Sequence, residues 1–102
     1  MPDYDLAPAA EGGLIDVARY TLRTWGIHQA RRYEALLIAC FEEIARGRVP
    51  SRELLISRPE IRFVRCEQQY VFFTMQRGAP VLILAVLHER MNLLVRLKER
   101  LE

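Results

Sequence analysis

Residues 69–91 read QYVFFTMQRGAPVLILAVLHERM, and the rest of the predicted fold is arranged around this segment. Two apolar runs, 70–75 and 81–87, flank Arg77-Gly78-Ala79-Pro80, and Gly and Pro allow a chain to reverse tightly. The pattern predicts a β-hairpin. The second run has no polar break, which favours a central strand covered on both faces. A buried helix is the rival interpretation, but so short a run between a proline and a charged cluster suits a strand better.

The composition limits the classes of function. The chain has 102 residues, of which 51% are apolar, and this fits a single domain over 1–102 with a substantial core. A net charge of +2 is too small to predict direct DNA binding. The apolar run is far shorter than the ~20 residues that span a bilayer, so no membrane association is expected. The sequence contains no Gly-rich phosphate loop and no Cys/His cluster, so we expect neither cofactor nor metal.

The cysteines and the N-terminus bear on the compartment. Cys40 and Cys66 are far apart in the sequence and have neither metal-binding nor redox-motif spacing. Two unpaired cysteines in a small chain are typical of a reducing compartment. The first five residues are acidic and lack the basic and apolar regions of a secretion signal. We therefore expect a cytoplasmic protein.

Two helices are predicted before the hairpin. A short edge strand ends at Pro8, which can serve as an early helix residue, whereas Gly12 and Gly13 weaken the first turn. Gly26 is a natural end for this helix, and a second helix follows from about His28. The first apolar stripe comprises Leu14, Val17, Ala18, Thr21, Leu22 and Trp25, and the second comprises Ala30, Tyr33, Leu37, Cys40, Phe41 and Ile44. The short link predicts an antiparallel helix hairpin, with Trp25 in the core at its corner.

The remaining segments complete an α+β domain. Residues 48–59 are predicted to be a loop with a short structured piece, and 61–65 a strand next to the hairpin. After Met91, the side chains of Leu93, Leu94, Leu97 and Leu101 share one side of a predicted amphipathic helix. The expected fold is a short N-terminal strand, a helix hairpin on a three- to four-stranded antiparallel sheet, and a C-terminal helix.

Burial by itself predicts an interaction surface. A helix hairpin covers one face of a sheet, yet the central strand looks buried on both faces. Either the C-terminal helix covers the second face or a partner does, and an uncovered apolar face marks an interaction site. The apolar side of the C-terminal helix has the same two interpretations, because about 11 residues form only a marginal helix in isolation.

Two separated motifs carry a family resemblance. The first is Tyr20, Trp25-Gly26, Ala30 and Tyr33 around the helical corner. The second is Leu87-His88-Glu89-Arg90-Met91 at the end of the last strand, preceded by Arg62 and by the strand at 70–73. Together, in this order, they resemble the ParE toxins of bacterial type II toxin–antitoxin systems, within the wider ParE/RelE superfamily. The chain departs from the family pattern at four positions: Glu60, Gln69, Phe73 and Asn92.

The resemblance implies a toxin that binds and inhibits DNA gyrase without being an enzyme. It also implies a cognate ParD-like antitoxin that wraps an amphipathic helix and an extended tail around the toxin. The C-terminal segment, here about 91–102, would take part in gyrase inhibition. The candidate target- or partner-binding residues are Arg62, Arg65, His88, Arg90, Met91, Leu94, Leu97 and Leu101. A homologue that binds antitoxin without toxicity is a further alternative, motivated by Phe73 and Asn92.

The main rival function is mRNA cleavage on the ribosome by a RelE-type enzyme. That chemistry needs a base, an acid and cations for the phosphate. His88 or Glu89 could transfer protons, and Arg62, Arg65 and Arg90 could bind phosphate. For His88 we favour a structural role at the strand end. Arg62 and Arg65 differ by three positions and should face opposite sides of a strand, so only one of them can face a given partner.

Overall fold

The computed structural model describes residues 4–53 and 61–88. They form two helices packed on a five-stranded sheet in the strand order β1-β5-β4-β3-β2. In chain order the elements are β1 (Tyr4–Leu6), α1 (Pro8–Trp25), α2 (Ile27–Ala45), β2 (Arg52–Glu53), β3 (Ile61–Cys66), β4 (Gln69–Thr74) and β5 (Val81–His88). The α+β class and the helix hairpin are therefore confirmed. The predicted C-terminal helix lies outside the described residues.

The sheet is mixed, so the prediction of a purely antiparallel sheet is wrong, although four of its five strands pair antiparallel as predicted. β3, β4 and β5 pair antiparallel, and the predicted hairpin is β4–β5. β1 pairs parallel with β5, with Tyr4 opposite Val81. The short β2 lies within the predicted loop and pairs with β3. Hydrophobic alternation predicts strands but not their direction, and β1 is free to run parallel because a long connection separates it from β5.

A single residue joins the two helices. Pro8 occupies the first turn of α1, where its missing N–H needs no partner. Gly26 ends α1 with its N–H donated to the Leu22 carbonyl, and its own carbonyl accepts from Ala30 N–H in α2. Its φ of 88° and ψ of 174° lie in a region open essentially to glycine alone. So short a link requires the antiparallel helix hairpin that the sequence predicts.

The main core lies between the helices and one face of the sheet. Leu37 and Phe41 of α2 are fully buried against Val71 of β4 and Ile83 of β5. α1 approaches β5 closely at Gly13, where a Cβ atom would lie 2.5 Å from the Val86 carbonyl oxygen. Only a residue without a side chain fits that approach.

β5 is buried on both faces, as its unbroken apolar sequence predicts. Val81, Ile83 and Val86 belong to the helix-side core. On the opposite face, Ala85 and Leu87 form a second buried cluster with Ile61 and Phe72. These four side chains are buried, so this face of β5 is covered, and the choice between the C-terminal helix and a partner as the further covering stays a prediction.

The two cysteines form a disulfide between α2 and the end of β3, so the expectation of unpaired thiols is wrong. The Cα atoms of Cys40 and Cys66 are 6.5 Å apart, within the range that a disulfide spans. Sequence spacing could not reveal the pair, because tertiary packing brings the two elements together. The inference of a reducing compartment from these cysteines therefore loses its basis. No helix among residues 4–53 and 61–88 is long and apolar enough to cross a membrane.

Candidate binding site at the helical corner

Polar residues meet at one end of the sheet on its helix-covered side. Gln69 opens β4 and pairs with Cys66 of β3 on one side and with His88 of β5 on the other. Gln69 is two and four residues from Val71 and Phe73, which both lie in the helix-side core. Because side chains alternate along a strand, Gln69 points to the same side.

A β-bulge turns His88 toward this side. Phe72 pairs with Ala85 but Phe73 pairs with Ile83, so Leu84 is an extra residue on β5. Before the bulge the helix-side residues are Val81 and Ile83, and after it the helix-side residue is Val86. His88 follows Val86 by two positions. Without the extra residue, the alternation would point His88 to the opposite face.

The helical corner and these strand ends enclose a cleft of about 190 Å³, which we call the corner cleft. Its helix wall consists of Val17, Tyr20, Thr21, Trp25, Gln29 and Tyr33, and its strand wall consists of Glu67, Gln68, Gln69 and His88. Trp25 is 64% exposed and Tyr20 is 62% exposed. The prediction that Trp25 belongs to the core is therefore wrong. It sits at the end of the first stripe, beyond the part of α1 that the sheet covers.

The β3–β4 turn is held firmly against the helices. The Tyr33 hydroxyl oxygen accepts a hydrogen bond from Gln68 N–H at 3.1 Å and a longer one from Gln69 Nε2 at 3.5 Å. Arg65 Nε donates to the Glu67 carbonyl at 3.1 Å. The disulfide fixes the residue just before the turn to α2. The strand wall of the cleft is consequently preorganised.

Two residues of this wall are in unfavourable states. Glu67 has a φ of 56°, a left-handed conformation that glycine or asparagine adopts with less strain. Gln69 is only 5% exposed, yet its Oε1 accepts no hydrogen bond from the described part of the protein. A buried acceptor without a partner costs about 1–3 kcal/mol. Such costs concentrate at functional sites.

The predicted site residues are not gathered in one place. Arg62 Nε donates to Ser51 Oγ at 2.7 Å and its Nη2 to the Ser51 carbonyl at 2.9 Å, which binds it to the segment before β2. Arg65 lies on the other face of β3, as the spacing predicts. His88, Gln69 and Cys66 lie side by side on neighbouring strands. Along β3, Arg62 is four residues from Cys66, which is roughly 13 Å at about 3.3 Å per residue.

The other predicted site residues lie outside the described residues; they are Arg90, Met91, Leu94, Leu97 and Leu101. Across 4–53 and 61–88, no three His, Cys, Asp or Glu side chains are grouped as metal ligands would be.

Sequence reasoning did not single out Gln69, Glu67 or Tyr20 as site residues. Two signals were present. Tyr20 is a large aromatic residue off the apolar stripe of α1, and Gln69 is a polar residue at a core-facing position of a strand. The left-handed conformation of Glu67 had no sequence signal.

Comparisons with known proteins place the chain in a family. Residues 4–93 match the family described as ParE toxin of type II toxin-antitoxin system, parDE. The chain is 42% identical over 102 residues to Toxin ParE from Escherichia coli, covering 100% of this chain and 99% of that protein. A solved structure of the chromosomal ParDE TA system from P. aeruginosa contains a similar fold, with a TM-score of 0.72 at 14% identity, covering 86% of this chain and 96% of that one. The chain belongs to the ParE toxin family of type II toxin–antitoxin systems.

Proposed function

We propose that this protein is a toxin that inhibits DNA gyrase by binding it and that a cognate ParD-like antitoxin neutralises it. The observation that carries the proposal is the match to Toxin ParE along the whole chain at 42% identity. Gyrase as the target and a ParD-like protein as the partner are what membership of this family implies. A toxin with these two partners would act in the cytoplasm.

The arrangement of the cationic side chains supports binding over catalysis. An RNA-cleaving site needs an acid, a base and cations around one phosphate. Here the guanidinium of Arg62 donates hydrogen bonds to Ser51. Arg62 lies roughly 13 Å along β3 from the position that is level with His88. Arg65 lies on the opposite face of β3. This separation disfavours RelE-type mRNA cleavage through Arg62, Arg65 and His88.

Exposed apolar side chains support an antitoxin partner. Within 4–53 and 61–88, most of the large exposed apolar side chains lie on the helix hairpin: Ile15, Tyr20, Leu22, Trp25, Ile27 and Leu36. An apolar surface of this kind on a small protein is suited to an amphipathic helix of a partner. We propose that gyrase contacts involve the C-terminal segment, through Arg90, Met91, Leu94, Leu97 and Leu101.

A gyrase supercoiling assay with the purified chain tests the proposal. It should score both the loss of supercoiling and the accumulation of cleaved DNA. We expect inhibition that the cognate antitoxin reverses. Growth arrest without any effect on gyrase would favour the ribosome as the target, and ribosome-dependent mRNA cleavage would then be assayed. Antitoxin binding without growth arrest would identify a non-toxic homologue.

A further inference from the structure

We propose that the corner cleft receives an arginine side chain of the ParD-like antitoxin. This inference rests on the proposed function, which supplies the partner, and adds the site and the chemistry of the contact.

The polar groups of the cleft call for a hydrogen-bond donor. Gln69 Oε1 is buried in the cleft wall and accepts no hydrogen bond from residues 4–53 or 61–88. The Gln69 amide nitrogen lies 3.5 Å from the Tyr33 hydroxyl, whereas the amide oxygen has no donor among the described residues. Glu67 adds a carboxylate to the same wall. A neutral carbonyl oxygen beside a carboxylate matches a cation that carries several N–H groups.

The aromatic residues of the cleft favour a guanidinium over an ammonium as this cationic group. Trp25 and Tyr20 line the cleft from α1 and are mostly exposed. The faces of such rings attract cations, and a planar guanidinium stacks on them while donating hydrogen bonds at its edge. A lysine ammonium lacks both the plane and the fork. The cleft, at about 190 Å³, is suited to one side chain and not to a helix.

The conformation of Glu67 is an independent indication. Its φ of 56° is strained for a residue with a side chain, and glycine at this position would relieve the strain. The turn therefore carries a carboxylate at the expense of its own stability. A binding role for that carboxylate explains why a charged residue stands there.

Trp25 provides a direct readout because it is the only tryptophan of the chain. We would titrate the full-length chain with its purified cognate antitoxin and follow Trp25 emission, if necessary with a tryptophan-free antitoxin. Binding affinity would be measured in parallel by calorimetry. We expect a blue shift and protection from acrylamide quenching as an antitoxin side chain covers the indole.

Variants then test the chemistry. Gln69→Met keeps the size of the side chain but removes the acceptor, and Glu67→Gly removes the carboxylate while relieving the strained φ. Each should weaken antitoxin binding about tenfold. Glu67→Gly should at the same time raise the melting temperature, which separates lost binding from a damaged fold. Met75→Ala is the matched control, since Met75 is 60% exposed but does not line the cleft, and it should bind normally.

The identity of the occupant is tested from the antitoxin side. Each antitoxin arginine is replaced by lysine. One replacement should weaken antitoxin binding to the wild-type chain about tenfold. The same replacement should have little further effect on binding to Gln69→Met or Trp25→Ala, because those variants have already lost the contacts of the arginine with the cleft. If no arginine shows this coupling, the proposal is wrong.

Two other outcomes would also overturn it. Antitoxin binding that leaves Trp25 emission unchanged and is insensitive to Glu67→Gly and Gln69→Met would refute the cleft but leave the proposed function standing. A shift of Trp25 emission caused by replacing this chain's own Arg96 and Arg100, and not by antitoxin, would identify its own tail as the occupant. A complete lack of antitoxin binding by the wild-type chain would instead refute the proposed function.

Discussion

At the scale of single residues, two adjacent glycines have opposite roles. A Cβ at Gly13 would lie 2.5 Å from the Val86 carbonyl oxygen, whereas a Cβ at Gly12 would meet nothing within 4 Å. We expect Gly13→Ala to lower the free energy of unfolding by about 1–3 kcal/mol, because backbone atoms of α1 and β5 must move apart. Gly12→Ala should raise it by up to about 1 kcal/mol, as alanine favours the helix.

Urea unfolding of the two variants checks this prediction. The pair is well matched, since both substitutions add the same methyl group to the same helix. Equal changes in stability would show that helix propensity, and not the approach of α1 to β5, governs both positions.

The Tyr4 hydroxyl makes the stability of the fold depend on pH in the alkaline range. Its ring packs edge-on against Phe41 with centroids 5.4 Å apart. Burial, and then the negative charge of Glu42, raise the pKa of the Tyr4 hydroxyl above its ordinary value of 10.0. The folded state therefore holds this proton more tightly than the unfolded state. The contribution of the protonated Tyr4 hydroxyl to the free energy of unfolding is complete below pH 10 and is lost as pH rises through the folded pKa.

Replacing Tyr4 by phenylalanine should remove that dependence. The wild-type protein should lose more stability than Tyr4→Phe between pH 9 and pH 11, as measured by urea unfolding at each pH. Parallel losses in the two proteins would contradict the assignment to Tyr4.

At the scale of elements, the disulfide ties α2 to the end of β3 and to the strand wall of the corner cleft. Cys40 and Cys66 are 26 residues apart, and closing a loop of this size stabilises a fold by about 2–4 kcal/mol. Reduction by dithiothreitol should lower the free energy of unfolding by this amount. The Cys40→Ala/Cys66→Ala double variant should have the lower stability and be insensitive to the reductant. A wild-type stability unchanged by reductant would argue against the bond.

At the scale of the whole molecule, the C-terminal segment carries the proposed activity. A chain that ends after Met91 should stay folded, because all described helices and strands precede that point. It should no longer inhibit gyrase in the supercoiling assay, with circular dichroism showing a retained fold. Full inhibition by the shortened chain would refute the role assigned to the segment.

A pair of full-length variants separates the two sides of the predicted C-terminal helix. Replacing Leu94, Leu97 and Leu101 by alanine should abolish inhibition, since the apolar side is the proposed contact. Replacing Glu99 by alanine should leave most of the inhibition, because Glu99 lies opposite the leucine side of the predicted helix.

The sequence alone determined much of this protein. Helical periodicity, Pro8 and Gly26 predicted both helices, and the two apolar runs around Gly78 and Pro80 predicted the β4–β5 hairpin. These features are local, because a turn or a helix end depends on the backbone preferences of a few neighbouring residues. The motifs around Trp25 and His88 likewise indicated the family that residues 4–93 match.

The tertiary structure alone decided the rest. It set the parallel direction of β1, paired Cys40 with Cys66, and left Trp25 exposed. The bulge at Leu84 turned His88 to the helix side, and the corner cleft formed where Gln69 met the helical corner. The physical reason is that each of these features joins elements far apart in the chain. Their relation depends on how the helices and strands pack together, and no local residue pattern records it.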